Sequence, residues 1–168
     1  MEFKKQFSVD EEIMATGWQR FGNYMVDVVF IYLIIFILII LLSIVTAFFE
    51  SYAFVEWMDT MSDLEGYLIY FAIMLSYFIF FEGFSSRSLA KYITGTVVVL
   101  EDGSKPDLGT ITKRTLCRLI PFDPLSFLSS NARGWHDSIS DTYVVSKKGL
   151  ETKMKIFSEL EEIGNSPE

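Results

Sequence analysis

From Val28 to Phe49 the chain reads VVFIYLIIFILIILLSIVTAFF, 22 residues without a charge. As a helix this run extends roughly 33 Å, enough to cross a hydrocarbon core about 30 Å thick. It is apolar on every face, so no side is reserved for water. It is too long for a signal peptide, and no small-residue cleavage site follows it. A second stretch, Gly66 to Phe84, reads GYLIYFAIMLSYFIFFEGF. Its uncharged part, Tyr67 to Phe81, extends only about 22 Å, a length that also suits a buried core helix. Beside the first run it reads as a second span, completed by Glu82, Gly83 and Phe84. The expected fold class is an α-helical integral membrane protein built on a two-span transmembrane hairpin, with spans at about 24–49 and 66–84.

The loops give the orientation. Residues 50–65 hold Glu50, Glu56, Asp59, Asp63 and Glu65 and neither Lys nor Arg, whereas three basic residues precede the first span and eleven follow Glu82. Short loops rich in Lys and Arg stay cytoplasmic. Both termini are therefore expected in the cytoplasm and the 50–65 loop outside. Residues 1–168 read as a single domain whose cytoplasmic part is 85–168.

In that part the hydrophobicity changes period. Thr94 to Leu100 is a β-branched run ended by the turn signal Glu101-Asp102-Gly103, and Thr142 to Val145 is a similar short run. Their pairing would make a small cytoplasmic β element. Gly109 to Ile120, GTITKRTLCRLI, reads as an amphipathic helix with Ile111, Leu116, Leu119 and Ile120 apolar and Lys113, Arg114 and Arg118 basic. Pro121 stops it. The pattern fits a helix in the membrane interface, with a re-entrant or third crossing over 110–130 as the costlier alternative. The tail from Gly149 to Ile163 spaces Leu150, Met154, Phe157 and Leu160 as a second amphipathic helix.

Composition closes several function classes. Fourteen Lys and Arg against 22 Asp and Glu give a net charge of −8, the wrong sign for a nucleic-acid binder. One cysteine, Cys117, allows no internal disulfide and no thiolate zinc cage, and one histidine, His136, argues against a Ser-His-Asp apparatus. No catalytic, cofactor-binding or metal-binding set is expected, and the chain does not read as an enzyme. The expected partners are the lipid bilayer and either further copies of the chain or other membrane proteins.

What remains is charge where charge is costly. Asp27 precedes the uncharged run, and Arg20, seven residues earlier, projects from nearly the same face, about 10 Å away along the axis. The two are expected to couple through a bridging group or water. Glu82 falls inside the inner edge of the second span, where an acid costs a few kcal/mol unless paired or wet. Arg20, Arg87, Lys91 and Arg118 are the candidate basic partners. Asp137, ahead of the second strand, is expected to dock on a cluster of Arg87, Lys91, Arg114 and Arg118.

Three stretches carry a family likeness. Arg20 to Asp27, RFGNYMVD, has an Arg, six residues, then an Asp, with Asn23 where alanine is usual. Glu82 to Leu100, EGFSSRSLAKYITGTVVVL, leads from a span into a strand, with Lys91 and Gly95 in place and Ser86 and Ala90 at customary glycine positions. Gly134 to Val145, GWHDSISDTYVV, closes the pattern with Asp137 as the second signature aspartate and Thr142 before the last strand. In this order they resemble the RDD family of small bacterial membrane proteins, named for one arginine and two aspartates. The resemblance implies a cytoplasmic (inner) membrane location. It also implies a third hydrophobic span before the closing stretch, where this chain has only GTITKRTLCRLIPFDPLSFL.

The resemblance further implies transport of small solutes or monovalent cations, sodium/proton exchange in particular. Two or three helices do not enclose an alternating-access path alone, so that reading requires an oligomer. The alternative is a membrane anchor, assembly or regulatory module that binds protein partners.

Overall fold

A computed structural model describes residues 7–127 and 133–164 of the chain. Helix α1 spans Gly17–Phe48 and helix α3 spans Asp63–Ser85. Among the described residues these are the two helices long and apolar enough to cross a membrane. Both begin earlier than their apolar runs because polar caps extend them. The Thr16 hydroxyl accepts from the Gln19 amide, and Ser62 with Glu65 forms a reciprocal capping box. The 50–65 connection is not a plain loop, for Ala53–Thr60 forms a short helix, α2.

Helices α1 and α3 run antiparallel. Ile31 packs with Met74, Tyr77 and Phe78, and further along α1 Tyr32 meets Tyr70, earlier on α3. Past Ser85 the chain turns through Ser86, which is left-handed with φ 56°. It then enters helix α4 (Leu89–Thr94), which ends at Gly95, also left-handed with φ 69°. Strand β1 (Thr96–Val99) follows. Helices α5 (Leu108–Cys117), α6 (Asp123–Ser126) and α7 (Trp135–Ile139) lead to strand β2 (Tyr143–Ser146) and helix α8 (Lys147–Gly164).

The two β-branched runs pair as expected, antiparallel, with Thr96 opposite Ser146 and Val99 opposite Tyr143. The segment ahead of α1 lies beside them. The Val9 amide donates to the Glu101 carbonyl, the Ala15 amide donates to the Val144 carbonyl, and Met14 bridges Val145. Val9, Ile13, Val99, Val145 and Leu150 make one small core there, which ties the first described residues to the tail helix. Lys153 on α8 adds ion pairs to Asp10 and Glu12 at 2.7 Å each.

Helix α5 forms where the amphipathic pattern places it, and Arg114 is its most deeply buried charge. Its buried residues are Ile111, Arg114 and Thr115, while Leu108 and Leu116 are exposed. Arg114, expected among the basic partners of Asp137, points inward. With ten residues, α5 is too short to be a crossing. The rest of that stretch continues through α6, and residues 128–132 lie outside the described part of the chain.

Candidate functional site

The end of α3, the start of α1 and helices α4, α5 and α7 converge on a buried layer of ion pairs. Glu82, in the last turns of α3, is fully buried and accepts from three cations. Its Oε1 takes Lys91 Nζ at 2.6 Å and Arg118 Nη2 at 3.1 Å, and its Oε2 takes Arg114 Nε at 3.1 Å. Arg114 spans to a second carboxylate, since its Nη1 donates to Asp137 Oδ1 and to the Thr142 hydroxyl. The other oxygen of Asp137 accepts from Arg20 Nη1 at 2.7 Å. Arg20 is itself aimed by bonds to the Ala15 and Val144 carbonyls, so the layer is fastened to the sheet.

Two further acids complete the layer. The Asp123 carboxylate holds both the amide and Nδ1 of His136, at 3.0 and 2.6 Å. Arg114 Nη2 lies 3.2 Å from His136 Nε2, so a neutral ring donates from Nδ1 and accepts at Nε2. Asp27 has no ion-pair partner among the described residues. Its oxygens accept from the Tyr77 hydroxyl at 2.7 Å, the Ser88 hydroxyl at 2.6 Å and the Ala90 amide at 3.0 Å. Tyr77 also accepts from the Leu89 amide. Asp27 therefore ties α1 to α3 and to the first turn of α4, whose amides lack helical acceptors.

Electrostatics and burial oppose each other throughout. Burial alone would raise the Asp137 carboxyl, but Arg114 first, then His136 and Arg20, holds it well below the usual carboxylate range. Burial pulls Arg114 down, yet Asp137 and Glu82 raise it further. Lys91 is lowered by burial against the pull of Glu82. Burial takes His136 down to about 4, opposed by Asp137, so the imidazole is neutral at pH 7. Glu82 and Asp137 thus share the cations Arg20, Lys91, Arg114 and Arg118, whereas Asp27 is held by two hydroxyls and an amide and Asp123 by His136.

A cavity of about 20 Å³, the size of a water site, adjoins Asn23, Asp27, Arg118 and His136. Asn23 Oδ1 and Arg118 Nε, both buried, lack a hydrogen-bond partner among the described residues. Asn23 spends its amide group on the Thr96 hydroxyl, 3.1 Å away. Among the described residues no group of His, Cys, Asp and Glu is arranged to hold a metal ion.

Several sequence expectations are corrected here. Arg20 does not reach Asp27 but crosses to Asp137, because the seven-residue separation along α1 is wider than the gap to α7. Among the described residues Arg87 joins no carboxylate. Its guanidinium donates to the Thr96 and Lys91 carbonyls and stacks on Tyr92 at 4.5 Å. Asp27 and Glu82 occupy separate sets of donors rather than one shared cluster. Lys91 and Arg118 do meet Glu82, and Asp137 meets Arg114. Sequence reasoning missed Asp123, His136, Tyr77 and Ser88 as members. Only the tyrosine in an apolar run carried a signal, and a weak one.

A small helical protein whose two long apolar helices end on a buried layer of ion pairs is the class that fold and site define. The chain belongs to the RDD family, whose sequence profile matches residues 14–146. No curated protein and no solved structure matches it.

Proposed function

We propose that the chain is a membrane-embedded anchoring and assembly module, in which the ion-pair layer locks two spanning helices to the β1–β2 sheet. One observation carries this reading: polarity is inverted. Arg114, Glu82 and Asp137 are at most 1% exposed, while Phe84, Leu108, Phe122 and Leu125 are 55–76% exposed. Water does not favour that arrangement, and a hydrocarbon surround does. Glu82 and Asp137 are saturated by fixed cations, which suits a lock better than a site that loads and releases an ion. The module sits in the bacterial cytoplasmic membrane with both termini inside, and its partners are lipid and other membrane proteins or further copies of itself.

Ion transport is the second reading, and Asp27 favours it. It is a buried carboxylate held only by neutral donors beside a cavity with an unpartnered Asn23 oxygen. Purified protein in liposomes separates the two readings. An imposed sodium gradient should drive no proton flux above that of protein-free vesicles. Sodium-driven flux that disappears in Asp27→Asn would replace the lock with a transporter. In the same vesicles cysteine at Ser51 or Ser62 should react with an impermeant thiol reagent from the face opposite to cysteine at Ser104.

A further inference from the structure

The other end of the α1–α3 pair poses a different problem. The helices touch at Ile31, Met74 and Phe78 but separate toward α2, leaving an apolar cavity of about 640 Å³. Leu38 and Leu42 of α1, Phe54 and Trp57 of α2, and Tyr67 and Tyr70 of α3 line it. That volume lies within the range of small-molecule sites, and the lining, mostly hydrocarbon and aromatic, is typical of them. Polar groups enter at the α2–α3 junction, where Ser62 and Asp63 complete the wall.

We propose that this cavity binds a single-chain amphiphile carrying a cationic head group. The inference goes beyond the anchoring reading, since the ion-pair layer plays no part in it. The chain end follows from the lining. The head group follows from charge complementarity: the 50–65 connection carries five acids and no Lys or Arg. Asp63, an exposed residue that contributes to the wall, has no ion-pair partner among the described residues. At this helix start the Glu65 amide donates to the Ser62 hydroxyl, and the Glu65 carboxylate accepts from the Ser62 amide and hydroxyl, so a carboxylate already lies against the N-cap. Trp57 and Tyr67 add aromatic faces, which favour a quaternary ammonium. An anionic head group meets repulsion at the same mouth.

Gly66 provides the blocking variant. A Cβ there meets only Met61 Cε, at 3.8 Å, so a larger side chain is accommodated without moving backbone. The experiment uses the full chain in nanodiscs with Trp18 and Trp135 changed to Phe, leaving Trp57 as reporter. Dodecyltrimethylammonium should shift its emission saturably, and each methylene added between the decyl and dodecyl chains should tighten binding about fourfold. Dodecyl sulfate should bind at least tenfold more weakly. Gly66→Phe should abolish the saturable shift, with Leu38→Phe narrowing the cavity from α1 as the second blocking variant. Asp63→Asn should reduce the preference for the cation while keeping the chain-length dependence. Equal affinity for the two head groups, or a shift that never saturates, overturns the proposal. So does insensitivity to both blocking variants. A blocking variant that lowers particle size without altering amphiphile binding also overturns it, and would assign the groove to a helix of a second copy.

Discussion

At the scale of single residues, Arg114 carries the most. It spans Glu82 and Asp137 and touches His136, and its planar fork suits two carboxylates where a lysine would serve one. Arg114→Met should destabilise the folded protein by about 3–5 kcal/mol, because two buried acids each lose a charge-assisted partner at once. Arg114→Lys should recover only part of that, and Arg87→Ala, which touches no acid, should cost far less. Thermal unfolding in one detergent compares all three. Ser86 points the other way. It holds a left-handed φ of 56° with a buried hydroxyl that lacks a partner. Ser86→Gly should therefore stabilise by about 1–2 kcal/mol, and a lower melting temperature would refute the strain. The family resemblance had already marked Ser86 as a customary glycine position, but only the backbone angle shows the cost. His136 gives the pH dependence. Its folded value near 4 lies below its ordinary 6.5, so the unfolded chain binds more protons between the two. Stability should fall as pH drops from 6.5 toward 4, and Asp137, also depressed, extends the loss below the ordinary carboxylate range. His136→Gln should flatten the upper part of that curve.

At the scale of elements, the apolar runs and the β-branched runs were readable because each has one period and one environment. Val28–Phe49 admits only a long apolar helix, and Thr96–Val99 with Tyr143–Ser146 pair by residue type and turn signals. Helix α5 was readable as a helix, but the full burial of Arg114 was not. An amphipathic pattern tells which residues share a face, whereas which face turns inward depends on the surroundings. In water the leucines would turn in. Here Glu82 and Asp137 draw Arg114 inward, and Leu108 and Leu116 face out. The Arg20–Asp27 pairing failed for a related reason, since distance along one helix says nothing of an acid brought close by α7. Double-mutant cycles separate these contacts. Arg20→Ala and Asp137→Asn should be strongly non-additive, while Arg20→Ala and Asp27→Asn should be close to additive. The reverse pattern would restore the pairing read from the sequence.

At the scale of the whole molecule, the ion-pair layer and the exposed apolar residues depend on each other. Burying four acids and four cations in a small protein is costly unless the surroundings make their separation costlier still. A sheath of hydrocarbon does this, because pulling Arg114 from Glu82 there leaves both charges without water. Every element that bounds the layer carries such residues: Phe80 and Phe84 on α3, Leu108 and Leu116 on α5, Phe122 and Leu125 around α6, and Trp135 and Ile139 on α7 are all exposed. Gly83 lies where an added Cβ would come within 3.0 Å of Leu108, so α3 and α5 present one joined surface. If this surface lies in the inner leaflet, Trp135 touches acyl chains. With Trp18 and Trp57 replaced by Phe, its emission should be quenched by lipids brominated on the acyl chain and hardly at all by aqueous iodide. Leu116→Lys should weaken that quenching and destabilise the protein in bilayers more than in a small detergent micelle, where the added charge finds water easily. Efficient quenching by iodide would place α5 to α7 in the aqueous phase, and the inverted polarity would then need a protein partner in place of lipid.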